Sequence, residues 1–468
     1  MEFFNRENDL KELNALKKGM IVIYGRRRVG KTELIKQFIK NREAIYFFVN
    51  PRKTDLLEEY VDRIKEKTST PGYIRIEKWD ELIQFLFDLS GEKVIIFDEF
   101  QRFLEIDEGI IYEFQKSWDL CEKKPLLILS GSSIGIIKKI FMESKAPLFK
   151  RATEMIELKP FTFFEVTEIL STRGITDVEE MMKIYLVFGG TIYYYVLMEN
   201  FDCKNFDEIV GRLILNPYSP LRNEVRDILI EEFGKDYRTY QAILTAIALG
   251  KTKRNEIADY AKIKTTSLSP YFYDLIDLLS LIRRKISVTE DQKSKDARYE
   301  ISDNFVNFWM RYVYRNESYF EIGDYGTIRK KIEGDLQNFF GHRFEEFAEE
   351  FLLELRRNGE INFQKAGRWW GHYRNEKNER KELEIDLVAL NKEKKEMYLF
   401  ECKWKELGEG EARSILKELY EKSKFVNWFS GAKGRKRKEQ YGIFAKKVEK
   451  KENLRRDGFL IFDLEDLR

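Results

Sequence analysis

The sequence predicts an α/β protein: a parallel sheet core with helices, then a helical and winged-helix section, then a C-terminal α/β domain. Three observations predict it. In the first third, short apolar runs alternate with stretches of helical period, as in a parallel sheet with crossover helices. From about residue 160 the apolar spacing is helical and leads into a single hairpin. Towards the C-terminus, a long helical stretch precedes two strand-like runs that carry acids among apolar residues.

A chain of 468 residues, 43% of them hydrophobic, can build about three domains with real cores. The expected divisions are 1–159, 160–233, 234–320 and 321–468. Charged residues are abundant, but the formal net charge is only +2, so overall charge does not announce a nucleic-acid partner. No apolar run approaches the roughly 18 residues of a membrane span, and the first residues lack a secretory stretch. Cys121, Cys203 and Cys402 lie far apart. That spacing argues against a disulfide framework or zinc ribbon, and fits a reducing cytoplasm, where the chain is expected.

The run Met20-Ile-Val-Ile-Tyr24, bounded by glycines, reads as a buried strand. Gly25-Arg26-Arg27-Arg28-Val29-Gly30-Lys31-Thr32 follows, then a stretch of helical period. This is GxxxxGK[ST] between a strand and a helix, the setting in which it forms a phosphate-binding P-loop. Its N–H groups and the helix N-terminus suit an anion. Lys31 is expected on the β- and γ-phosphates of ATP, and Thr32 on Mg²⁺.

Lys93-Val-Ile-Ile-Phe-Asp98-Glu99 is a second apolar strand, ending in two acids. Asp98 is expected to hold Mg²⁺ through water, and Glu99 to act as general base. Pro125-Leu-Leu-Ile-Leu-Ser130-Gly-Ser-Ser133 is a third, with Ser130 or Ser132 placed to sense the γ-phosphate. Arg151, before a further strand near 154–158, is a candidate for stabilising transition-state charge, in cis or in a neighbouring subunit.

Tyr24-Gly-Arg-Arg-Arg-Val-Gly-Lys-Thr, Phe97-Asp-Glu-Phe-Gln101 and Leu129-Ser-Gly-Ser-Ser resemble the archaeal ATPase family of the STAND class of P-loop NTPases. The resemblance implies an ATPase that works as a switch and can self-assemble as an ATP-dependent homo-oligomer. Ile192, in Phe188-Gly-Gly-Thr-Ile-Tyr-Tyr-Tyr195, stands where that family's helical motif carries proline.

Residues 160–233 read as helices. Three further helices are expected at 240–249, 253–261 and 265–279, followed by a hairpin of 281–288 with 298–301. Three helices and a wing resemble a winged helix-turn-helix. Arg283, Arg284 and Lys285 would assist DNA docking, whereas Asp274 and Asp277 on the third helix argue for a packing role instead.

Leu336–Leu355 reads as one long helix. Glu384-Ile-Asp386-Leu-Val-Ala-Leu390 and Met397-Tyr-Leu-Phe-Glu401-Cys-Lys403 read as strands. Period two places Glu384 with Asp386, and Glu401 with Lys403, on single faces. Acids inside apolar strands are costly unless paired or bound to metal, and two carboxylates suit Mg²⁺. The set resembles PD-(D/E)xK, restriction-endonuclease-like nucleases, with Asp386 as the motif aspartate and Glu401 and Lys403 as the ExK pair. The resemblance further implies Glu345 as the helical acid and metal ligand. It makes DNA or RNA the expected partner, with the basic segment Lys433-Gly-Arg-Lys-Arg-Lys438 available for phosphates. A catalytically inactive version, in an ATP-switched scaffold or DNA-binding regulator, is the alternative. His342 and His372 lack metal-ligand spacing.

Overall fold

The computed structural model describes residues 6–68, 75–89, 93–291, 293–374, 378–431, 434–435 and 437–467. It divides into two compact units that do not follow chain order. The first comprises Met1–Phe161, Gly190–Glu199 and Phe272–Ser280; the second comprises Thr162–Gly189, Asn200–Tyr271 and Leu281–Arg468.

The first unit is built on strands β1 (Gly19–Tyr24), β2 (Ala44–Phe48), β3 (Val94–Asp98), β4 (Leu126–Gly131) and β5 (Glu154–Glu157). They form one sheet in the order β2-β3-β4-β1-β5, and every pairing is parallel. Every residue of β1 is buried because both faces are covered: Met20, Val22 and Tyr24 join one apolar cluster, Ile21 and Ile23 another. This is why the strand is continuously apolar rather than alternating. Register sets the working edge. Tyr24 lies opposite Gly131 and Phe97 opposite Leu129, so the segments after β1, β3 and β4 emerge side by side.

In the second unit, helices Tyr237–Ala248, Arg254–Ala261 and Leu268–Tyr273 precede a hairpin of β6 (Ile282–Ile286) and β7 (Ala297–Ile301); the last two residues of the third helix fall in the first unit. The long helix is Tyr325–Arg357, longer at both ends than its apolar period indicates. Strands β8 (Lys365–Arg374), β9 (Arg380–Asn391) and β10 (Glu396–Leu407) follow. After them come a short hairpin, β11 (Ser430–Gly431) and β12 (Gly434–Arg435), then β13 (Lys438–Val448) and β14 (Leu460–Phe462). The main sheet runs β14-β13-β10-β9-β8 and is mixed: β10 is parallel to β13 and antiparallel to β9.

Alternation along β10 gives each face its own partner. Trp404 packs on Phe344 of the long helix, with ring centroids 5.3 Å apart. Met397 and Leu399, on the other face, share a core with Leu419 of helix Glu409–Ser423. Glu401 and Lys403 continue that second face.

The three cations expected to assist DNA docking are engaged within the chain. Arg283 is paired with Glu300 and Glu346, Lys285 with Glu349, and Arg284 donates to the Ser294 carbonyl. Glu346 and Glu349 lie on the long helix, so these charges tie the hairpin to the chain itself. Of the basic segment 433–438, Lys433 and Lys436 lie outside the described residues.

Candidate active sites in the two units

Gly25 and Gly30 make the first site possible. A Cβ on Gly25 would lie 2.3 Å from the Leu158 carbonyl oxygen, and Gly30 adopts φ +99°, a region open to glycine. Helix Lys31–Ile39 starts directly at that turn. Its first N–H groups therefore face the loop, as anion binding requires. Lys31 Nζ donates to the Gly25 and Arg26 carbonyls at 2.8 and 2.9 Å. Burial lowers its pKa to about 8, against the opposing pull of the Glu99 and Asp98 carboxylates. A buried cation ringed by carbonyls gains from an incoming polyanion.

Thr32 Oγ1 donates to Asp98 Oδ2 at 3.0 Å. These are hard oxygen donors from two elements in one place, and they fit Mg²⁺. The Tyr46 hydroxyl also donates to Asp98 Oδ2, and burial, then that carboxylate, hold the phenol far above its usual pKa. Glu99 has φ +58° and accepts from Ser132 Oγ at 2.7 Å and from Gln101 Nε2. Arg28 lies 4.0 Å over the Tyr193 ring, and a Cβ on Gly30 would lie 3.5 Å from Ile192. Ile192, the residue in the place of proline, thus packs beside the loop. Val29 is buried; Arg27 adds like charge beside Lys31.

Two expected members stand apart. Arg151 forks onto Asp119, with N–O distances of 2.8 and 2.7 Å. Two residues on, Thr153 donates its N–H to the Met20 carbonyl near the start of β1. Arg151 therefore lies at the amino ends of the strands, whereas the phosphate loop is at the carboxyl ends. Ser130 is fully buried, and its Oγ meets no hydrogen-bond partner among the described residues; Ser132 is the serine that reaches Glu99. Tyr46 and Gln101 were not legible as members.

The second site forms where β9 and β10 part. Their last pair is Leu387 with Phe400, so Asp386 and Glu401 are the next residues on each strand. Lys403 Nζ lies 3.1 Å from Asp386 Oδ2 and 2.7 Å from Glu401 Oε2. The Cys402 N–H donates to Asp386 Oδ2 at 2.8 Å. Burial opposes ionisation of Asp386, but Lys403 and the Cys402 N–H prevail and keep its pKa low. Burial and then the Asp386 charge push Glu401 up. Lys422, on helix Glu409–Ser423, holds the other Glu401 oxygen at 2.8 Å. Nothing in the sequence singled it out.

Glu345 does not join this pair. Arg368 holds its carboxylate, with His342 Nδ1 3.8 Å away, and among the described residues no group of three or more His, Cys, Asp or Glu side chains is arranged so that it could hold a metal ion. Glu384 is turned to Arg298 at 2.7 Å. No single helix among the described residues is long and apolar enough to cross a membrane.

Two regions of the chain match known protein families. Residues 3–198 match a family model described as an ATPase domain predominantly from Archaea, and residues 309–415 match one described as archaeal and bacterial proteins of unknown function. An uncharacterized protein, MJECL04 of Methanocaldococcus jannaschii, is 35% identical over 99% of both chains. An uncharacterized ATP-binding protein of the same organism, MJ0423, is 49% identical over 9% of this chain and 76% of its own. Among solved structures, the Walker-type ATPase of Pyrococcus abyssi aligns with a TM-score of 0.52 and 21% identity. The alignment covers 66% of this chain and 96% of that one, a likeness of fold. With its phosphate loop, parallel sheet and full-length relative, the chain belongs to the archaeal ATPase family.

Proposed function

We propose that the chain is an ATP-driven switch whose nucleotide state controls a nuclease-like site in its C-terminal domain. The observation that carries this reading is the meeting of Asp386, Glu401 and Lys403 at the fork of β9 and β10.

In the first unit, Lys31 and the loop N–H groups bind and orient the phosphates of ATP. Thr32 and Asp98 would hold Mg²⁺, which would neutralise phosphate charge. Glu99 takes a proton from the attacking water, and Ser132 and Gln101 fix the direction of its carboxylate. The chain passes repeatedly between the two units, at 161–162, 189–190, 199–200, 271–272 and 280–281. Segments compact with the nucleotide unit are thus covalently continuous with the other, a route for a change of state.

In the second unit, Asp386 and Glu401 suit an oxygen-ligated Mg²⁺, which would supply a more acidic water and neutralise phosphate charge. Lys403 orients the water or meets developing negative charge. The experiment is cleavage of DNA and RNA in Mg²⁺ by the wild type and by Asp386→Asn/Glu401→Gln, which should be inert.

A second reading has its own observation. Lys403 and Lys422 together balance the charges of Asp386 and Glu401 without a metal. In that reading the domain binds a partner and does not cut, and the same assay shows no cleavage by either protein.

A further inference from the structure

We infer that the C-terminal domain binds single-stranded nucleic acid by base stacking on the segment that carries Tyr420, Phe425 and Phe429, which Lys422 joins to the Asp386–Glu401 pair. This rests on the nuclease-like reading of that pair and adds the form of its substrate.

Exposed apolar side chains scattered singly need no explanation. Three aromatic rings within ten residues do. Tyr420 is 48% exposed, Phe425 49% and Phe429 42%. They alternate with residues that anchor the segment: Leu419 and Val426 are buried in the core under the sheet, and Trp428 packs against it. The rings are therefore presented outward from a fixed backbone. Phe425 pairs with Tyr373 of β8 at 5.1 Å, and Phe429 with Trp428 at 4.7 Å.

The segment is tied to the carboxylates. The Phe425 N–H closes on the Lys422 carbonyl at 3.0 Å, and Lys422 Nζ holds Glu401. The surroundings are cationic at the rings themselves. Lys424 Nζ lies 4.7 Å from the Tyr420 centroid and Lys395 Nζ 6.0 Å from that of Phe429. Lys424 also pairs with Glu421, but both side chains are exposed and such a pair opens at little cost. Aromatic faces with neighbouring cations suit unpaired bases and their phosphates, because every base offers a π-face once unstacked. A duplex keeps those faces hidden.

The test is fluorescence anisotropy of the full chain with labelled single-stranded and duplex oligonucleotides of about 15 nucleotides, near the upper site size for such grooves. EDTA is present, so binding is read without cutting. The variants are Tyr420→Ala/Phe425→Ala and the conservative Phe425→Trp, with ATP turnover in Mg²⁺ as the check of folding. The wild type is expected to prefer the single strand. The double variant loses about tenfold or more of that affinity, as loss of two stacked bases implies; Phe425→Trp keeps it, and ATP turnover is unchanged in all. Preference for duplex, no binding to either form, or an unchanged double variant would overturn the platform. Ring-dependent binding without Mg²⁺ cleavage leaves the platform standing and removes the nuclease. Cleavage without ring-dependent binding does the reverse.

Discussion

Thr32 and Asp98 meet at the carboxyl edge of the parallel sheet, with the threonine hydroxyl donating to the aspartate at 3.0 Å. They come from strand–helix crossings 66 residues apart, yet register alone brings them together. If they share Mg²⁺, Asp98→Ala should lower ATP turnover by at least about 100-fold, since such a metal contributes several kcal/mol. Steady-state turnover over a Mg²⁺ titration checks it. Activity within tenfold of wild type would remove Asp98 from the metal site.

Lys31 gives the nucleotide site a pH signature. Its free-state pKa is about 8, lowered by burial from the usual 10.5. Phosphates favour the charged form, so ATP binding should take up a proton where free Lys31 is partly neutral. Affinity should fall as pH rises through about 8. The stability sign is opposite: between about 8 and 10.5 the unfolded chain binds more protons, so this group adds stability as pH rises. Calorimetry at pH 8 in buffers of different ionisation enthalpy should show net proton uptake, absent in Lys31→Ala if that variant still binds.

Glu99→Gln should retain ATP binding and lose turnover by about 100-fold or more, as removal of a general base implies. Single-turnover kinetics separate the two steps. Equal loss of affinity and turnover would assign Glu99 to binding instead.

Arg151→Ala should leave ATP turnover within about twofold, because its guanidinium is committed to Asp119 away from the phosphate loop. The pair is partly exposed, so its removal should cost less than about 1 kcal/mol in chemical denaturation. A large turnover defect with an intact melt, reversed by mixing with a subunit that supplies the arginine, would restore a role in trans.

The phosphate loop was legible because its chemistry is local: glycine, lysine and threonine at fixed spacing between a strand and a helix. The Asp386–Glu401–Lys403 set was legible for a similar reason, since period two aligns residues on a strand without knowledge of the fold. What escaped depends on distant partners. Nothing near Arg151 reveals that Asp119 will take it. The wing cations Arg283 and Lys285 resemble a DNA surface until Glu346 and Glu349 of the long helix pack against them. Lys422 is one lysine in a helix of mixed charge, and only tertiary packing delivers it to Glu401. Ser130 and Ser132 differ by where β4 ends: the first remains inside the sheet, and the second passes its edge to meet Glu99.

The most direct measurement is nucleic-acid cleavage in Mg²⁺ without nucleotide, with ATP and with a non-hydrolysable ATP analogue, by the wild type and Lys31→Ala. If ATP switches a nuclease, cutting by the wild type changes with nucleotide, Lys31→Ala ignores nucleotide, and Asp386→Asn/Glu401→Gln cuts nothing. Cleavage indifferent to nucleotide in the wild type, or no cleavage of any DNA or RNA while ATP turnover is intact, would contradict it.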